Sequence, residues 1–248
     1  MKKLKWKKCL AGLLALILLA AAFRCILTDR ESERAVMFAA RLPGQTLIID
    51  AGHGGEDGGA VSISGTVESK INLAIALRLD DILGLYGVNT LMLRTEDQSL
   101  HDDNADTLRE KKVSDLHNRV DVIESVDHAT LISIHQNIFN NKNLHGAQVF
   151  YSNEKLSLPF AMFTQETLRL ALDPQNTRKA ARIPTTVYLM NHITCSAILV
   201  ECGFLSNPTE DSLLQTGNYQ LKIATALAGS YLSYQDIAQP EGDHSNEI

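Results

Sequence analysis

Cysteine, basic residues and internal repeats are scarce in this 248-residue chain, and each shortage removes a class of protein. Of four cysteines, Cys9 and Cys25 fall in an N-terminal leader, which leaves Cys195 and Cys202 for the body. Two cannot form the multi-bridge framework of a small stapled domain. They flank an apolar run that reads as a strand, so their Cα atoms stand about 23 Å apart at ~3.3 Å per residue, too far to bridge. Both are therefore expected to be free. Six Pro and 15 Gly are ordinary usage, and no segment recurs at a fixed period, which excludes collagen, low-complexity, solenoid and propeller architectures. Basic residues are outnumbered, 23 Lys+Arg against 29 Asp+Glu, and six of the 23 (Lys2, Lys3, Lys5, Lys7, Lys8 and Arg24) precede residue 25. The remainder keeps 17 basic against 29 acidic side chains, net −12. That is the wrong sign for a partner whose binding depends on Lys and Arg displacing counterions, so nucleic acid is excluded as the expected ligand. No G-x-S-x-G elbow occurs either, leaving a serine hydrolase without a nucleophile.

What is present divides into four parts. Five lysines followed by the apolar run Cys9–Phe23 have the layout of a targeting segment. Residues 1–27 are read as a signal peptide or a membrane anchor, the lysines of an anchor staying in the cytoplasm. Residues 28–42 are a charged linker, 43–237 one globular domain and 238–248 a polar tail. A hydrophobic content of 45% with 21% charged residues suits a single compact core.

Within the domain, short β-branched runs alternate with helical patterns. Strands are expected at 46–50, 88–94, 130–135, 147–151, 186–189 and 197–201, and helices at 68–86, 114–125, 154–172 and 219–236. Such alternation predicts an α/β fold: a largely parallel twisted sheet of about six strands between helices. The polar stretch 97–112 reads as a solvated loop, with a rim against substrate as the sharper reading.

Three apolar runs end in chemically useful side chains: LIIDAGH ends at His53, TLISIH at His135 and AILVE at Glu201. Ligands of open α/β sheets bind beyond the strand C-termini, so three strands deliver two imidazoles and a carboxylate to one crevice. His53 sits in the loop GHGGEDGG, whose glycines permit close backbone approach. It fails as a phosphate cradle, because Asp57 stands where GxGxxG needs glycine and Glu56 with Asp57 repels an anion. Two His, one carboxylate and an open position form the ligand set of a catalytic zinc. By spacing alone the third ligand is Glu56, Asp57 or Glu68. Glu68 opens a helix with Asn72 one turn on, placed to orient the carboxylate. Cys202 follows Glu201 directly, and strand alternation turns it to the other face, packed under the sheet.

These segments carry a resemblance. LIIDAGHGGEDGGA, the helix start ESKINL, Leu93-Arg94-Thr95, Ser133-Ile-His135-Gln-Asn137 and ILVECGFLSNP occur in order across residues 46–236. They resemble the zinc-dependent N-acetylmuramoyl-L-alanine amidases of bacterial cell walls. The resemblance implies that His53, Glu68 and His135 bind Zn2+ and that Glu201 is the catalytic carboxylate, taking a proton from water and passing it to the departing alanine nitrogen. Asn72, Asn137 and Arg94 are implied to orient ligands or touch substrate. The implied substrate is peptidoglycan, met outside the cytoplasm by an anchored or secreted enzyme. Two departures are Ile138, where the family usually has a small Ala, and Gln136 before Asn137; both fall on the substrate floor.

Some relatives carry an inserted helix that plugs the zinc; here only Ser152 and Asn153 separate the strand from the next helix, so restraint is expected from tethering, expression timing or a protein activator. The segment VYLMNHITCSAILVECGFLSN is similar to that of the sporulation and germination subgroup, which prepares spore cortex for muramic-δ-lactam. A general autolysin and a non-catalytic peptidoglycan-binding or activator protein on the same scaffold are the alternatives.

Overall fold

A computed structural model describes residues 44–238; the expected leader, the linker and nearly all of the tail lie outside the described residues. Among the described residues no helix is long and apolar enough to cross a membrane.

The elements in chain order are β1 (Thr46–Ala51), α1 (Glu68–Leu85), β2 (Thr90–Met92), α2 (Leu108–Glu124), β3 (Ala129–Asn137), β4 (Gln148–Tyr151), α3 (Glu154–Leu172), β5 (Ala181–Arg182), α4 (Tyr188–Asn191), β6 (Ser196–Phe204), α5 (Pro208–Leu214) and α6 (Gly217–Ala238). The sheet order is β2-β1-β3-β6-β4-β5. Strands β2, β1, β3 and β6 run parallel, while β4 is antiparallel to β6 and carries β5 alongside it. The sheet is thus largely parallel, as expected, with one antiparallel pairing, β4 against β6.

The parallel strands are apolar on both faces because both faces are covered. Leu47, Ile49, Ile132, Ile134, Ile198 and Val200 pack with residues of α1, α3 and α6, whereas Ile48, Leu131, Ala197 and Leu199 pack with Ile123 of α2 and with Leu189 and Met190 of α4. Register aligns Asp50 with Ser133 across β1 and β3, and His135 with Glu201 across β3 and β6. The parallel ladder therefore delivers the polar strand ends to one rim.

Several sequence expectations need correction. The run at 186–189 is not a strand: Val187 N–H bonds to Pro184 O, the Asn191 side chain donates to the Pro184 and Val187 carbonyls, and the chain turns into α4. Its β-branched residues are outweighed by the turn that Pro184 starts, and Leu189 and Met190 still reach the core. The sixth strand is instead the two-residue β5. Helix α2 begins at Leu108, inside the stretch read as loop, because Thr107 and Glu110 form a reciprocal capping box. Helix α5 was not expected, though Asn207 accepts from Thr209 and Glu210 N–H and Pro208 sits at the first helical position.

Helix α2 buries few apolar side chains, and its attachment to the sheet is largely ionic. Arg119 pairs with Asp50 of β1 and, at 2.8 Å, with Asp115, while Ser133 Oγ donates to Asp50 at 2.6 Å. Burial works to raise the Asp50 pKa, but Arg119, His135 and Ser133 outweigh it and hold the carboxyl below its ordinary 3.8. Replacing one member of a buried pair strands the other charge. Asp50→Asn is therefore expected to cost about 3–5 kcal/mol in urea unfolding at pH 7. A group with a depressed folded pKa stabilises above its unfolded pKa and loses that contribution as pH falls through the folded value. The gap between wild type and variant should accordingly narrow below about pH 4. An equal gap at pH 7 and pH 3 would refute this reading of the pair.

Candidate active site

The first turn of α1 brings Glu68 under the ends of β1 and β3. Its side chain is 4% exposed, and its charge is met by donors on every side. Oε2 accepts from Ala60 N–H at 2.9 Å; Oε1 accepts from Gln136 N–H at 3.0 Å and from Asn72 Nδ2 at 3.3 Å. His135 Nδ1 stands 3.1 Å from Oε1 and His53 Nε2 3.4 Å from Oε2. Burial opposes the charge, yet the two imidazoles hold Glu68 well below the usual carboxylate range. One donor atom from each of His53, Glu68 and His135 lies within 4.8 Å of the others. The side chains of His53 and His135 remain 20% and 19% exposed, so the group is open to solvent.

Glycine makes room for this convergence. A Cβ on Gly52 would stand 2.2 Å from His135 Nε2, and one on Gly59, at φ +71°, would stand 2.6 Å from the His53 ring and 2.7 Å from Glu68 Oε2. His53 itself adopts φ 63°, uncommon for a non-glycine residue. Arg119 Nη2 holds its carbonyl at 2.9 Å, and its Nδ1–H donates to Asp57 at 3.0 Å. That bond selects the tautomer that leaves Nε2 directed at Glu68.

Of the three carboxylates that spacing allowed, only Glu68 joins the two imidazoles. Glu56 pairs with Lys111 at the surface, and Asp57 braces His53 while also meeting Lys112 Nζ at 3.1 Å. Asn72 lies beside Glu68 and also donates to Gly52 O. Arg94 is 2% exposed, with Ala51, Gly52, Ser69 and Glu96 carbonyls as its acceptors, so it shapes the loop rather than facing solvent. Asn137 enters through its backbone, accepting from Leu205 N–H. The polar stretch 97–112 braces the glycine loop: Asp97 accepts from Gly55 N–H, and Lys111 and Lys112 reach Glu56 and Asp57. Sequence reasoning missed Asp50, Ser133, Asp115 and Arg119; an aspartate ending one central strand and a serine inside the next were the available signals.

Glu201 lines the same cleft of about 330 Å³, with His53, His135 and the α4 segment Val187–Leu189. Its Oε2 is buried without a hydrogen-bond partner. Burial pushes its pKa up to about 7; the neighbouring Glu68 charge adds to this and His135 and His53 oppose it. A carboxyl that exchanges a proton near neutrality is suited to general acid–base work. Cys202 faces away and is fully buried, and burial drives its thiol pKa up, which removes it as a nucleophile. Cys195 is also free.

Two imidazoles and a carboxylate around one point, with an unpartnered buried carboxyl beside them, match the donor chemistry of a catalytic divalent-cation site. Fold and site together define a single α/β domain whose polar cleft carries the donor set of an amide-hydrolysing centre. Residues 47–231 match the family model described as N-acetylmuramoyl-L-alanine amidase, Amidase_3. The chain is 36% identical over 238 residues to the germination-specific N-acetylmuramoyl-L-alanine amidase of Bacillus subtilis, covering 94% of this chain and 95% of that one. It superposes with TM-score 0.74, at 36% identity, on the CwlD amidase of Clostridioides difficile, solved in complex with the GerS lipoprotein, over 77% of this chain and 98% of that one. An N-acetylmuramoyl-L-alanine amidase of Clostridium difficile 630 gives TM-score 0.67 at 26% identity, with 78% and 97% covered. The chain belongs to the N-acetylmuramoyl-L-alanine amidase family and is an enzyme that hydrolyses the amide between N-acetylmuramic acid and L-alanine.

Burial works to lower the His53 pKa, but Asp57 and Glu68 reverse this and raise it to about 9. A cation held at this ring would have to displace that proton, so its affinity should fall as pH drops below about 9, by up to roughly tenfold per unit. Asp57→Asn should weaken cation binding roughly 10- to 100-fold at pH 8. Zinc titrations monitored by calorimetry between pH 6 and 8.5 check both; a pH-independent affinity contradicts the proton competition.

Proposed function

We propose that this chain is a zinc amidase of the spore-cortex type, with His53, Glu68 and His135 as the metal ligands and Glu201 as the general base and acid. The observation that carries the reading is the pairing of the His53–Glu68–His135 group with the unpartnered Glu201 carboxyl in one open cleft. When bound, a zinc ion supplies Lewis acidity, polarising a carbonyl and easing the ionisation of water toward about pH 7. Glu201 takes the proton of the attacking water at its carboxylate and delivers it to the alanine nitrogen as the amide bond breaks. Without that delivery the amine is a poor leaving group. Asn72, Ala60 N–H and Gln136 N–H keep Glu68 in place throughout, and Asp57 does the same for His53.

The cortex assignment is supported by the germination-specific name of the B. subtilis relative and by its near full-length match. A general autolysin would share the chemistry and differ in when it acts. Peptidoglycan lies outside the cytoplasmic membrane, so the basic and apolar segment 1–27 is assigned to export, as a signal peptide or as an anchor that also tethers the enzyme. The C. difficile structure holds a lipoprotein against a similar amidase, which supports a protein activator as the source of restraint.

Digestion of purified muropeptides, followed by mass spectrometry with and without chelator, tests the reaction. Free stem peptide with an unblocked alanine amine is expected, and chelation should abolish it. Glu201→Gln should lower kcat roughly 10²- to 10⁴-fold while zinc content per chain is unchanged; retained turnover would refute the role. Spores of a deletion strain that still contain muramic-δ-lactam would exclude the cortex assignment.

A further inference from the structure

Beyond the cleavage chemistry, the rim on the β4 side of Glu201 holds a fixed cation with no assigned task. Arg178 lies between α3 and β5. Its Nε–H donates to His145 O at 3.1 Å and its Nη1 to Gln148 Oε1 at 3.0 Å. The guanidinium carbon sits 4.6 Å from the centre of the Phe204 ring. Its acceptors are all neutral, and among the described residues no carboxylate pairs with it. The contrast with the other two guanidinium groups near the site is informative: Arg119 is neutralised by Asp50 and Asp115, and Arg94 is buried among carbonyls. Arg178 is half-buried, and three of its five N–H groups have no acceptor among the described residues.

The support beneath this group is rigid. Glu210 accepts from Phe204 N–H and from Gly146 N–H, both at 2.8 Å, and so ties the aromatic ring and the His145 loop to one buried carboxylate. Gln148 is the direct cross-strand partner of Glu201. Opposed residues of an antiparallel pair point to the same face, so the Gln148 side chain and the Arg178 group it accepts from stand on the face of the sheet that carries the Glu201 carboxyl. Phe139, 59% exposed, approaches Phe204 at 6.4 Å and adds apolar surface to the same rim.

The substrate is charged on one side of the scissile bond only. The sugar is neutral, whereas the stem peptide continues beyond alanine into an acidic residue joined through its side chain, which leaves its α-carboxylate free. A planar guanidinium, fixed by neutral acceptors and an aromatic face, offers the paired donors that a carboxylate takes up. We propose that Arg178, on the Phe204 ring beside Gln148, anchors this first stem-peptide carboxylate and makes the enzyme selective for acidic stem peptides. The proposal rests on the amidase reading and adds to it the side of the cleft on which the leaving peptide lies.

The test compares muramoyl-L-alanyl-γ-D-glutamate with its α-amide, using full-length zinc-loaded wild type, Arg178→Gln and Arg178→Lys. Arg178→Gln should lose about 10- to 100-fold in kcat/KM on the acid and change less than about twofold on the amide. Arg178→Lys should recover part of the loss, since it keeps the charge without the fork. In parallel, binding of L-alanyl-γ-D-glutamate is measured by calorimetry on zinc-loaded and metal-free protein, and should weaken by a similar factor in Arg178→Gln. Equal loss on acid and amide, or peptide binding unchanged by the substitution, overturns the anchor. If wild type cleaves neither substrate, the catalytic assignment falls, and the binding comparison still decides the role of Arg178.

Discussion

Glu68 is a buried anion, and the site is organised around the need to keep it charged. Removing a carboxylate from water is costly unless donors replace its hydration. Here two backbone N–H groups, one amide side chain and two imidazoles surround it. The donors come from three parts of the chain: the glycine loop, the end of β3 and the first turns of α1. Satisfying one carboxylate therefore fixes the relative positions of the elements that hold His53 and His135.

That arrangement needs a loop able to approach very closely, which accounts for the density of glycine around His53. Gly52 and Gly59 are occupied, in effect, by the His135 and His53 rings. The left-handed backbone at His53 is a local cost, offset by Arg119 on its carbonyl and Asp57 on its ring. The same Arg119 ties α2 to β1 through Asp50. Packing of a helix with little apolar surface and orientation of His53 thus share one buried guanidinium, and a perturbation of either is felt by both.

Much of this was legible in the chain. Long periodic segments such as α1, α3 and α6 and the apolar strands β1, β3 and β6 carry their structure in local pattern, because a buried strand needs β-branched residues and an amphipathic helix needs its stripe. His53, His135 and Glu201 stood out because each ends an apolar run of the sequence. Other features were hidden for physical reasons. The run at 186–189 has strand-like residues, but Pro184 and Asn191 fold it into a turn and a short helix. Two-residue β5 has no periodicity to read. The ion pair of Asp50 and Arg119 joins residues 69 positions apart, and nothing local distinguishes a buried arginine from a solvated one.

By itself the sequence determined the residue types and their order: two imidazoles and several carboxylates at the ends of apolar runs, glycines where side chains would obstruct, and an acidic body behind a basic N-terminal segment. Those properties depend on composition and short-range periodicity, which the chain carries wherever it folds. Tertiary structure alone decided which carboxylate joins the imidazoles, that Asp57 braces His53 while Glu56 turns to solvent, and that Arg178 is fixed on the Phe204 ring beside Gln148. Such choices depend on distances between residues far apart in sequence, and only the register of the sheet and the packing of the helices set those distances.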